Sequence, residues 1–241
     1  MSTGGERPAP PLRAVAFDFD GVILESGSIK QQAFLDLFAH RPDLQPQILA
    51  HHRRHLGVSR HDKLAWIHRE LLGRSLSSTE LAEEGRRFSE LVLDKVLACP
   101  FVDGAEELLR SLTSRIPCFV VSATPQEELE LIVDRRGLDG YFREIRGTPG
   151  QKADILIDLM RCHRLAPGEM VMVGDGLSDY RGAQQAGVPF ILRQTSEQDE
   201  LFDGIEVERV GDMAELGPLL ESRLEGASTQ PLAAGPGAES S

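Results

Sequence analysis

The apolar positions change rhythm twice along the chain. Ala14-Val15-Ala16-Phe17 is a short, wholly apolar run that ends abruptly in Asp18-Phe19-Asp20-Gly21-Val22. Such a run predicts a buried strand that hands the chain to a loop carrying two carboxylates at the strand's C-terminal end. From about Ile29 to Ala98 the spacing is helical. Ala33, Phe34, Leu37 and Phe38 share one face, Leu64, Ile67, Leu71 and Leu72 another, and Phe88, Leu91, Val92 and Val96 a third. After Pro117 strand and helix signals alternate. Strands are predicted over 118–121, 141–146, 170–173 and 189–192, and helices over 126–136, 152–163 and 179–186, with Gly137 and Gly187 as stops.

Alternation of this kind predicts an α/β fold, a Rossmann-like parallel sheet core wrapped by helices, with the helical block as an insertion. The expected division is a core of 12–24 and 100–224 and a helical insertion of 25–99. The Gly- and Pro-rich ends, 1–11 and 225–241, are expected to be disordered. A helical module placed directly after an acidic loop is a candidate lid.

Composition narrows the partners. A chain of 241 residues can bury one core and a small inserted unit. Its formal charge of -12 argues against nucleic acid, whose phosphates require an excess of Lys and Arg. A small anionic substrate must then meet a local basic pocket. Cys99, Cys118 and Cys162 have neither metal-ligand nor disulfide spacing and read as buried or inert free thiols, which suits a reducing cytoplasm. No leader pattern opens the chain and no apolar run approaches membrane-spanning length. The expectation is a cytoplasmic protein without membrane or nucleic-acid partners, a monomer or homodimer acting on a small molecule. One oddity is the island His51-His52-Arg53-Arg54-His55 with Arg60-His61, read either as a solvated helix face or as a basic rim over an anionic substrate.

Three later positions converge on the acidic loop, because parallel strands end on one side and open α/β sheets bind ligands there. Ser122 follows the strand 118–121 and offers a hydroxyl beside the Ala123 backbone N–H, whereas Thr124 fits a helix N-cap better. Lys152 lies in the first turn of a helix, where a cation opposes the helix dipole and a bound phosphate would justify it. Gly174-Asp175-Gly176-Leu177-Ser178-Asp179 brings two more acids to a strand end, although Asp179 could equally cap the next helix. Up to four clustered carboxylates require a cation, and oxygen-only ligands with an incomplete protein shell suit Mg²⁺.

Asp18-Phe19-Asp20-Gly21-Val22, Ser122, Lys152 and Gly174-Asp175 through Asp179 resemble the four motifs of the haloacid dehalogenase-like hydrolases, in order, over about 13–193. The helical block resembles the small cap of the phosphoglycolate phosphatase and β-phosphoglucomutase branch. Within it, Gly57-Val58-Ser59-Arg60 resembles the mutase cap loop whose Arg meets the distal part of the substrate. This resemblance implies that Asp18 is the nucleophile on phosphorus and Asp20 the proton shuttle. Ser122, Lys152, Gly21 and Ala123 would hold the phosphoryl oxygens, and Mg²⁺ would sit on Asp18, the Asp20 carbonyl and Asp175, with Asp179 in support. An acid at the position of Asp20 favours phosphate ester hydrolysis over dehalogenation, with a sugar phosphate as the expected substrate. A phosphomutase is the first rival. Against it, Lys30 stands where the mutase carries His, and Gly174 replaces an acidic residue; Lys30 could still bind the substrate's anionic part. A non-catalytic phosphate-ligand binding protein is the second rival.

Overall fold

The computed structural model describes residues 10–195 and 199–225; of the segments expected to be disordered, 1–11 and 225–241, residues 1–9 and 226–241 lie outside the described residues, and Glu225 ends a helix. Six strands form one all-parallel sheet: β1 (Ala14–Phe17), β2 (Cys118–Pro125), β3 (Glu144–Thr148), β4 (Met170–Gly174), β5 (Phe190–Arg193) and β6 (Glu208–Val210), in the order β3-β2-β1-β4-β5-β6. The sequential order reverses at β1, and such a reversal opens a crevice at the strand ends.

Every residue of β1 is buried. Its alternation divides the core: Val15 and Phe17 join one apolar cluster, while Ala14 and Ala16 join a second with Phe119, Leu156, Leu159, Met172 and Ala183. This period of two is the strand pleat expressed as packing. The second cluster is filled by α7 (Lys152–His163) and α8 (Leu177–Ala186). The other face is covered by α5 (Ala105–Leu112), α6 (Gln126–Arg135) and α9 (Met213–Glu225).

Between β1 and α5 the chain is helical only: α1 (Gly27–Leu37), α2 (Gln45–Arg54), α3 (Arg60–Trp66), a π-helical turn at Ile67–Leu71 and α4 (Ser78–Ala98). Phe34, Phe38, Ile48, Leu64, Ile67, Phe88 and Val92 close its interior. Leu24 bridges Phe101, so the chain leaves and re-enters the sheet region at one place. α4 begins with a reciprocal cap in which the Ser77 hydroxyl accepts from the Glu80 N–H and the Glu80 carboxylate accepts from the Ser77 N–H.

Three sequence expectations shift. The strand expected at 141–146 is β3 at Glu144–Thr148, because Asp139–Tyr141 forms a 3₁₀ turn and pairing with β2 starts only at Glu144. β2 runs on to Pro125, past the expected 121. Cys99 and Cys118 are buried thiols, but Cys162 is exposed on α7. No helix among the described residues is long and apolar enough to cross a membrane.

Candidate active site

The register of the sheet builds the site. Phe17 pairs with Val120 on β2 and with Val173 on β4, so Asp18 emerges between the ends of both neighbours. The Asp18 N–H donates to the Val173 carbonyl at 2.8 Å, and its Oδ1 accepts from the Phe19 N–H at 2.7 Å. Gly21 turns the chain back at φ +74°, and a Cβ there would lie 2.4 Å from Asp175 Oδ2. Only glycine gives both the left-handed turn and this close approach.

Asp18, Asp175 and Asp179 each place a carboxylate oxygen within 4.8 Å of the others, and all three are buried. Lys152, also buried, reaches Asp18 at 3.0 Å and is hydrogen-bonded to Asp179 Oδ1. The second oxygen of Asp179 accepts from the Gly176 N–H at 2.9 Å. The capping reading of Asp179 therefore holds, since it closes the first turn of α8, and the same side chain also fixes the lysine. Burial, followed by the negative charge of Asp179, lifts Asp18 to about 7 against the pull of Lys152. Asp175 is raised for the same reasons, burial first and then Asp18. Although burial opposes its charge, Lys152 is held above the usual lysine range by Asp179 and Asp18. Three carboxylates share one ammonium, and an all-oxygen donor set with such a charge deficit fits Mg²⁺.

The Asp20 side chain lies outside this cluster. Its oxygens accept from Ser26 Oγ at 2.6 Å, from Thr124 Oγ1 at 2.8 Å and from Lys30 Nζ. Burial opposes the charge, yet Lys30 and these hydrogen bonds hold Asp20 below the usual carboxylate range. Lys30 thus points into the site and not to solvent. Thr124 is not a helix cap: the N-cap position of α6 is Pro125, without a side-chain bond, and Thr124 braces the acid. Ser122 is buried and its Oγ accepts from the Thr124 N–H at 3.1 Å.

A cavity of about 60 Å³ between the sheet edge and the helical block is lined by Asp18, Asp20, Asp175, Ala123, Lys30, Phe34, His52, Gly57, Arg60 and Lys63, among others. Ser122 and Lys152 line an adjoining cavity of about 220 Å³, with Ala123, Gly57 and Val58 common to both. The turn at Gly57 closes directly over the acids, for Ser178 Oγ donates to the Leu56 carbonyl at 3.0 Å.

Two expectations about the helical block change. Arg60 lines the cavity, but its guanidinium is engaged bidentately by Glu128 of α6, with Nη1 at 2.7 Å from both Glu128 Oε2 and Ser89 Oγ. The histidine island is divided: Arg53 and Arg54 are exposed as a solvated face would be, whereas His51 and His52 pack inward. His51 stacks on Trp66 with ring centroids 3.7 Å apart, and His52 is buried against Phe34. Burial, helped by the neighbouring His55 for His51 and Lys63 for His52, lowers the two to about 4 and about 2, so both are neutral near pH 7.

Sequence reasoning missed Ser26, Lys63 and Glu128. A signal existed for Lys63, which stands three residues after Arg60 and so falls on the same helical face. No local pattern marks Glu128, whose partner lies 68 residues away.

A family profile for haloacid dehalogenase-like hydrolases matches residues 12–187. Among curated proteins, the chain is 26% identical over 226 residues to a phosphoglycolate phosphatase of Chromobacterium violaceum, covering 88% of this chain and 97% of that one. It is 27% identical over 195 residues to a phosphoglycolate phosphatase of Photobacterium profundum, covering 73% and 80%. Among solved structures, a protein described as a predicted phosphatase from Clostridium acetobutylicum superposes with a TM-score of 0.70 at 19% identity, covering 88% and 100%. With four motifs gathered at one sheet edge and the profile spanning most of the sequence, the chain belongs to the haloacid dehalogenase-like hydrolase family.

Proposed function

We propose that this hydrolase is a Mg²⁺-dependent phosphatase that cleaves a small phosphate monoester, a short sugar phosphate or 2-phosphoglycolate, through an aspartyl-phosphate on Asp18. The observation that carries the reading is the buried cluster of Asp18, Asp175 and Asp179 beside Lys152 at the sheet's C-terminal edge. Asp18, Asp175 and the Asp20 backbone carbonyl would hold the ion. Bound there, Mg²⁺ supplies positive charge that offsets repulsion between a carboxylate and a phosphate.

An Asp18 carboxylate oxygen attacks phosphorus, the bond from phosphorus to the ester oxygen breaks, and Asp20, acting in its protonated form against the pull of Lys30, gives that proton to the departing alkoxide. Asp20 then takes a proton from water, whose oxygen attacks the same phosphorus and releases phosphate and the free Asp18 carboxylate. Lys152, fixed by Asp179, and the Ser122–Ala123 segment orient the phosphoryl oxygens. The helical block acts as a cap: Gly57 and Val58 exclude water from the reacting atoms when the Leu56 turn is seated on Ser178.

The test is phosphate release with Mg²⁺ from a panel of monoesters that includes hexose 1-phosphates. Free phosphate from a short ester is expected. Isomerised sugar phosphate without free phosphate would establish a mutase, and no turnover of any ester would leave only binding.

A further inference from the structure

Three cations line the cavity, Lys30, Arg60 and Lys63. Two of them are already matched. Lys30 is paired with Asp20, and Arg60 is matched by Glu128 in a pair whose side chains are 4% and 9% exposed. Lys63 differs. It is 5% exposed, it projects from the last turn of α3, and among the described residues no carboxylate oxygen lies within ion-pair distance of it. Its neighbours are His52 Nδ1 at 3.3 Å and the Phe34 ring, whose centroid is 5.7 Å away.

A buried ammonium without a counter-charge costs several kcal/mol, and neither neighbour supplies a negative charge. His52 is neutral, so its Nδ1 accepts a hydrogen bond from Lys63 and aims the ammonium without neutralising it. Burial, with Lys30 adding repulsion, brings Lys63 down to about 7. An arriving anion would meet a group whose charge the protein leaves unbalanced. The acids across the cavity, Asp20 and Asp175, act on Lys63 only through space. Asp20 is occupied by Lys30, and Asp175 belongs to the cluster that would hold the metal.

We propose that Lys63, positioned by His52, is a specificity-determining residue that receives a second negatively charged group on the substrate, so that the preferred substrate is a short phosphate ester bearing a second anion. This rests on the phosphatase reading above, because the first anion is the phosphoryl group held at Asp18 and Lys152. The cavity of about 60 Å³ sets the length. At roughly 10–15 Å³ of such space per water, it has room for about five water-sized groups. That suits a short tail ending in one anionic group and is too small for a nucleoside. Lys63 takes this part because Arg60, three residues earlier on the same face, is held by Glu128.

The test compares ethyl phosphate, 2-phosphoglycolate and propane-1,3-diol bisphosphate on the full chain with Mg²⁺. These three carry no tail charge, a carboxylate or a second phosphate. The wild type is expected to favour at least one anionic-tail ester over ethyl phosphate by tenfold or more in kcat/KM, and which one it favours tells carboxylate from phosphate. In Lys63→Met that ratio should fall by tenfold or more, mostly through KM, and Lys63→Arg should restore part of it. A wild type that prefers ethyl phosphate overturns the assignment without any variant. So does a Lys63→Met ratio within threefold of wild type. Release of phosphate from all three esters without discrimination refutes Lys63 alone, whereas release from none refutes the phosphatase reading and this assignment with it.

Discussion

Arg60 and Glu128 join the helical block to α6, and the strength of that join can be worked from the structure. Their side chains are 4% and 9% exposed, so the charges are screened little. The guanidinium donates to both carboxylate oxygens and to Ser89, Ser89 Oγ donates to Glu128 Oε2 at 2.6 Å, and the guanidinium carbon lies 4.8 Å from the Phe88 ring centroid. Glu128→Leu leaves a buried cation unpaired, which costs about 3–5 kcal/mol, and Arg60→Met strands the carboxylate at a similar cost. The double variant Arg60→Met/Glu128→Leu removes both charges and should return to within about 2 kcal/mol of wild type, a coupling of about 4 kcal/mol or more. Urea unfolding reads this directly, since at a slope of about 3 kcal/mol/M a loss of that size lowers the midpoint by about 1 M. Burial opposes the charge of Glu128, but Arg60 holds it below its ordinary value. The pair's contribution is therefore present above that ordinary value and is lost as pH falls through the folded one. Single variants within about 0.5 kcal/mol of wild type that add in the double would refute the pair as a join.

Two further outcomes follow from the site. Lys30→Met removes the main cation beside Asp20, so the pKa read from the alkaline limb of kcat/KM, which reports protonated Asp20 in the free enzyme, should rise by about 1 unit or more; an unchanged profile would remove Lys30 from control of the proton shuttle. Gly57→Ala puts a methyl 2.0 Å from Ser178 Oγ at φ +72°, and should lower kcat/KM while costing roughly 1–2 kcal/mol of local strain. Adding Ser178→Ala should recover part of the activity, and no recovery would place the damage elsewhere.

The sheet and the acidic site were readable because each is local in sequence. The run Ala14–Phe17 ends in its acids, Met170–Gly174 ends in its own, and parallel strands carry both sets to one edge. What escaped reading was set by contacts distant in sequence. The distal role expected for Arg60 depends on whether a carboxylate reaches it, and the one that does comes from α6. The histidine island looks uniformly basic in sequence, but packing against Trp66 and Phe34 removes the charge of His51 and His52, while Arg53 and Arg54 stay exposed. Thr124 has the sequence position of a cap, yet β2 extends past it and turns its hydroxyl to Asp20. Strand β6, three residues long, and α9, which contains Gly217 and Pro218, carry too little periodicity to be found without the sheet they complete.

Asp18 is the claim on which the remainder stands, and Asp18→Asn tests it with little change of shape. With Mg²⁺ and the best ester of the panel, phosphate release should fall by at least a thousandfold. Because the substitution relieves like-charge repulsion among buried carboxylates, the unfolding midpoint without metal should hold or rise. Phosphate release within tenfold of wild type by folded Asp18→Asn would contradict the account.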